Sequence, residues 1–68
     1  MEIKLVPRIR ERRMEKHLSQ TELCEIIGMS KSQLSRIENG KTRPTPEVLW
    51  RIAKGIGCNV DELYEVSS

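Results

Sequence analysis

The chain has 68 residues and a formal net charge of +2; this length allows one domain and a small core, hiding only ~60% of the unfolded surface. With no Phe, one Trp and one Tyr, Ile, Leu, Val and Met must supply that core, and no apolar run approaches the ~18 residues of a membrane span. The start, MEIKLVPRIRERR, lacks the long apolar stretch and small-residue cleavage site of a signal peptide, so a cytoplasmic protein is expected.

The opening IKLV is the one strand-like stretch near the N-terminus. It reads as an arm or a short strand over 1–6, with LYEV near the end as its candidate partner. Pro7 suits the first turn of a helix, where its missing N–H costs nothing. That helix runs to about Lys16, with Ile9 and Met14 as its apolar edge and His17 ending it. Ser19-Gln20-Thr21-Glu22 is a capping box that opens a second helix. Leu23, Ile26 and Ile27 form its apolar face, and Gly28 stops it after about eight residues. Ser30-Lys31-Ser32-Gln33 is another capping box, so a third helix over 31–39 begins one short turn later and stops at Gly40.

KTRPT is a loop. Thr45-Pro46 supplies a cap and a first-turn proline for a fourth helix. Its core face is Val48, Leu49, Ile52, Ala53 and Ile56, and Gly57 ends it. Asn59-Val60-Asp61-Glu62 caps a short fifth helix with Leu63 inward, and 66–68 is a tail. The expectation is an all-α, compact five-helix bundle in one domain over 7–65.

Cys24 and Cys58 are the only cysteines and His17 the only histidine. Without the close ligand spacing of a zinc site, they make neither a metal site nor a cofactor site. In a cytosolic setting the two cysteines read as small apolar core residues rather than a disulfide.

The charge is unevenly placed. Residues 1–17 hold six Lys or Arg against three Glu, and 30–43 hold Lys31, Arg36, Lys41 and Arg43 against Glu38. Residues 18–29 and 44–68 are each net acidic by two. A polyanion would meet the two basic segments, 1–17 and 30–43.

Short helix, glycine turn and polar helix make a helix-turn-helix. Leu23, Ile27, Met29, Leu34 and Ile37 fall where two steeply crossed helices need apolar side chains. Cys24 is small where they cross, and Gly28 tolerates the positive φ of the turn.

With these go Arg13, Leu18-Ser19-Gln20, Glu22, Ser30, Ser35, Glu38, Asn39-Gly40-Lys41, Pro44, Leu49, Ile52-Ala53, Ile56-Gly57, Asp61 and Leu63. Over roughly 8–64 the chain resembles the DNA-binding domains of phage Cro and repressor proteins and their bacterial relatives, the XRE-like helix-turn-helix domains. The resemblance implies a lambda-repressor-like bundle, with the helix-turn-helix at its second and third helices. It also implies an Arg13–Glu38 ion pair joining the first helix to the end of the third, and a phosphate-binding Gln20. Two departures stand out: His17 replaces the usual glycine, and Cys24 and Gly55 replace common alanines.

A major groove ~12 Å wide admits one helix, and hydrogen-bonding side chains read its base edges. Turning Leu34 and Ile37 inward leaves Lys31, Ser32, Ser35 and Arg36 as one stripe, with Lys31 and Arg36 suited to guanine. Gln33 either reads a base or closes the capping box. Gln20, Asn39, Lys41 and Arg43 are the expected phosphate ligands, with Arg8 or Arg12 adding to them from the first helix.

The expected function is a sequence-specific, double-stranded-DNA-binding transcriptional regulator, a repressor rather than an activator, with no enzymatic activity and no small-molecule ligand. One helix reads too few base pairs for a genomic address. A homodimer on a near-palindromic operator, half-sites ~34 Å apart, is therefore expected. Its contact is placed at Cys58, Val60 and Tyr64. The alternative is a protein-binding module, such as an antitoxin-like partner that also binds DNA, using Trp50, Val60 and Tyr64.

Overall fold

The computed structural model describes residues 3–67. In chain order the elements are β1 (Lys4–Pro7), α1 (Ile9–Glu15), α2 (Gln20–Ile27), α3 (Lys31–Glu38), α4 (Pro46–Ile56), a 3-10 turn (Val60–Leu63) and β2 (Tyr64–Ser67). The parts of the expected arm and tail that fall on Met1, Glu2 and Ser68 lie outside the described residues.

Four α-helices and a β-hairpin replace the expected five helices. Val60–Leu63 is too short for an α-helical turn to propagate. It makes one 3-10 turn, with the Glu62 N–H donating to the Asn59 carbonyl at 3.0 Å. Tyr64 then turns extended at φ −129°, ψ 150°. From there the chain runs antiparallel to β1, pairing Leu5 with Val66 and Pro7 with Tyr64.

Pro7 therefore ends a strand rather than opening a helix, a place where a two-stranded sheet tolerates its missing donor. Arg8 is the N-cap of α1, without a side-chain cap bond. Its N–H donates to the Leu63 carbonyl at 2.7 Å, fastening the helix start to the hairpin.

The core comprises Ile9, Leu23, Cys24, Leu34, Ile37, Ile52, Ala53, Ile56 and Leu63. Each fully buried Leu or Ile contributes ~1.5–3 kcal/mol over leaving it in water. Met14 and Ile26, expected on apolar faces, are instead exposed. At 100° per residue, Leu23, Cys24 and Ile27 define the inward face of α2, and Ile26 lies to one side of it. On α1 the inward positions are Ile9 and Arg13, one turn apart, which turns Met14 outward.

Two departures from the repressor pattern have a visible reason or consequence. His17 adopts φ 59°, a left-handed conformation that costs a non-glycine residue ~1–2 kcal/mol. It closes α1, its N–H donating to the Met14 carbonyl at 3.0 Å. Gly55 packs against α2: a Cβ there would stand 2.5 Å from Ile27 Cγ2 and 2.8 Å from Leu23 Cδ1. Close approach of α4 to α2 accounts for a glycine within a helix.

Candidate nucleic-acid interface

Two capping boxes and one left-handed glycine fix the angle between α2 and α3. At the start of α2, Ser19 Oγ accepts from the Glu22 N–H at 3.0 Å, and the Ser19 N–H donates to Glu22 Oε1 at 2.9 Å. That backbone bond, followed by the Ser19 side chain, holds the Glu22 carboxyl below its ordinary range. Gly28 ends α2 at φ 69°, its N–H donating to the Cys24 carbonyl at 2.8 Å. Ser30 then caps α3, accepting from the Gln33 N–H at 3.2 Å while its own N–H donates to Gln33 Oε1 at 3.2 Å. Of the two roles open to Gln33, capping is the one present in the free protein.

Leu34 and Ile37 turn α3 onto the core, where both are buried. Lys31, Ser32, Gln33 and Arg36 are exposed and Ser35 is half-buried. Lys31, Ser32, Ser35 and Arg36 line one open concavity together with Gln20 from the start of α2. The expected base-reading stripe and one expected phosphate ligand are thus brought onto a single surface.

Asn39 caps the C-terminus of α3, its Nδ2 donating to Ser35 Oγ at 3.3 Å. Lys41 and Arg43 follow in the exposed loop, where the Lys41 N–H donates to the Arg36 carbonyl at 2.8 Å.

Behind this surface sits the Arg13–Glu38 pair. Arg13 Nε donates to Glu38 Oε2 at 2.8 Å, Nη2 to Glu38 Oε1 at 3.2 Å and Nη1 to the Leu18 carbonyl at 2.7 Å. The Glu38 side chain is only 2% exposed. Gln20 Nε2 also donates to Glu38 Oε1, at 3.0 Å. The one carboxylate within 30–43 is therefore neutralised and withdrawn from the surface, and it fixes the Gln20 amide.

Ion pairing divides the cations. Arg8 is held by Glu11 and Glu65, Arg12 by Glu15, Arg13 by Glu38 and Arg51 by Glu47. Among the described residues, Lys31, Arg36, Lys41 and Arg43 have no carboxylate partner, and neither do Lys4, Arg10, Lys16 and Lys54; the four in and after α3 are the ones that follow one another along a single helix and loop. Arg8 and Arg12, expected to reach phosphates, are committed elsewhere, Arg12 Nε also donating to the Glu62 carbonyl at 2.7 Å.

Arg10, by contrast, has no carboxylate partner among the described residues. It is exposed, and it lines a polar concavity with Ser19, Gln20, Lys31 and Asn39. Sequence reasoning missed it, yet its spacing from Arg13 was a usable signal: three residues apart, the two share one side of α1. Among the described residues, no three His, Cys, Asp or Glu side chains gather as a metal set.

The HTH_3 helix-turn-helix family matches residues 9–63. The chain belongs to this family. It is 45% identical over 60 residues to the ImmF control region 10 kDa protein of Bacillus phage phi105, covering 88% of this chain and 67% of that one. The P22 c2 repressor in complex with a synthetic operator superposes with a TM-score of 0.74 at 34% identity, over 82% of this chain and 85% of that one. SinR, a master regulator for biofilm formation solved in complex with DNA, gives a TM-score of 0.75 at 38% identity, over 82% and 90% of the two chains. Two matching regulators from Mycobacterium tuberculosis are longer, the chain spanning 40% of their length. The helix-turn-helix match leaves out both strands of the hairpin, which flank it on either side.

The residues expected at a dimer contact are less openly displayed. Cys58, Val60 and Tyr64 are half-buried and packed against the core, and burial pushes the Cys58 thiol up from its ordinary range. Cys24 and Cys58 are free thiols. Tyr64 also lines a groove of about 540 Å³ between the hairpin and the loop after α3.

Proposed function

We propose that this chain is a sequence-specific transcriptional regulator, a cytoplasmic repressor that inserts α3 into the major groove of double-stranded DNA. Its family supports the class, and the distribution of unpaired charge carries the assignment of the surface. The four cations in and after α3 lack carboxylate partners, whereas Glu38, the one acid among them, is neutralised behind them. A strip that gathers four unpaired cations and hides its one acid is suited to a polyanion, with long-range attraction supplying encounter and hydrogen bonding supplying choice.

Lys31, Ser32, Ser35 and Arg36 read bases, Arg36 and Lys31 through guanine O6 and N7. Gln20, Asn39, Lys41, Arg43 and Arg10 hold phosphates. Gln33 keeps its capping role through Oε1, its Nε2 remaining as a donor to a base or a phosphate. Repression follows from occupancy: a protein lying across a promoter excludes polymerase without catalysis, metal or small-molecule ligand. Two copies on a near-palindromic operator double the sequence read, which one helix alone leaves too short.

Two substitutions separate the classes of contact in fluorescence titrations with the preferred site and with random DNA. Arg36→Ala loses ~1–3 kcal/mol on the preferred site and little on random DNA. Lys41→Ala weakens both alike and flattens the salt dependence by about one unit. Equal losses on both DNAs for Arg36→Ala would remove it from the base readers.

A further inference from the structure

We infer that the β-hairpin, which lies outside the matched family region, is the surface through which a second copy of this chain docks. This deepens the dimeric reading above and rests on it. Leu5 and Val66 are cross-strand partners, and they stay 64% and 70% exposed. Ile3, just before β1, is 68% exposed. Half of the large exposed apolar side chains of the described residues therefore gather on this hairpin, where pairing cost solvent contact without burying them.

Beside these protruding side chains lies the groove of about 540 Å³, lined by Leu5, Pro7, Ile9, Pro44 and Tyr64 among others. An apolar ridge next to an apolar groove on one surface is the self-complementary arrangement that a two-fold contact requires, each copy's ridge entering the other's groove.

Charge and area both favour a second copy over a different protein. The charged strand residues Lys4 and Glu65 alternate away from Leu5 and Val66, so two apposed ridges meet without like charges between them, Arg43 on the groove wall being the one cation that each copy brings to the contact. The face is also small: four-residue strands span only ~13 Å. A standard interface takes about 800 Å² from each partner, a sixth of this chain's 4917 Å² surface. The hairpin face falls short of a permanent complex and suits a weak dimer that adjacent half-sites hold together. The groove reaches Gly40, Thr42 and Arg43, so the contact lies beside the loop that follows α3.

The test uses the full chain. Without DNA, amide shifts are followed by NMR as concentration rises into the millimolar range; changes are expected at 3–7, 40–44 and 64–66. In parallel, Leu5→Glu/Val66→Lys replaces the apolar pair by an attractive cross-strand pair, which keeps the hairpin closed. That variant should bind a single half-site like the parent and lose roughly 10-fold or more on two half-sites. Shifts centred on Ile26 and Trp50, no concentration dependence, or unchanged two-half-site affinity in the variant would overturn the proposal. The measurement without DNA decides the interface even if no operator is found, which would count against the DNA-reading assignment alone.

Discussion

Arg13 spends three nitrogens on two partners at the junction of α1, α2 and α3, and its side chain is 9% exposed. An ion pair so placed adds little net stability over an apolar pair, but removing one partner strands the other in a dry site. Arg13→Ala should cost about 3 kcal/mol and lower the Tm by ~10 °C or more in urea and thermal melts. Arg10→Ala, at an exposed position, should leave the melt unchanged while weakening DNA binding. A melt unaffected by Arg13→Ala would mean that the pair holds nothing in place. The pairing of Arg13 with Glu38 was legible only through resemblance, since 25 residues separate them. Arg10 was hidden for another reason: six cations crowd the first 17 residues, and only the ion pairs of the fold reveal which of them remain unpaired.

At the scale of elements, capping chemistry made the helix-turn-helix legible. Ser19, Ser30 and Thr45 each accept the backbone N–H three positions on, and Gly28 and Gly57 adopt left-handed conformations at helix ends. The hairpin was harder to see, because four-residue strands gain their order from each other and from the Arg8–Leu63 bond rather than from local pattern. The α2 and α3 boxes also differ in a testable way: Glu22 titrates and Gln33 does not. The Glu22 carboxyl is lowered chiefly by the Ser19 N–H. Its contribution is thus present above the ordinary carboxylate range and lost as pH falls through the lowered value. The urea midpoint of the parent should exceed that of Glu22→Gln near neutrality, and the gap should close in acid. A gap independent of pH would show that the carboxylate charge plays no part in the cap.

For the whole molecule, the bundle arranges charge as much as it buries apolar surface. Carboxylates meet Arg8, Arg12, Arg13 and Arg51 around the domain, leaving unmatched the strip along α3 and its following loop, together with the scattered Lys4, Arg10, Lys16 and Lys54. The class of function was legible because a helix-turn-helix imposes many fixed positions in one window. Of the docking face only the pairing of IKLV with LYEV was legible; that Leu5 and Val66, 61 positions apart, stand side by side and exposed appears only in the fold. Selection of bound oligonucleotides from a random pool at low ionic strength tests the central claim most directly. The account predicts one enriched motif with two inverted half-sites centred about one helical turn apart, and loss of sequence preference at one symmetric pair of positions for Arg36→Ala. A pool with no enriched motif, or an enriched motif untouched by substitutions at both Lys31 and Arg36, would contradict it.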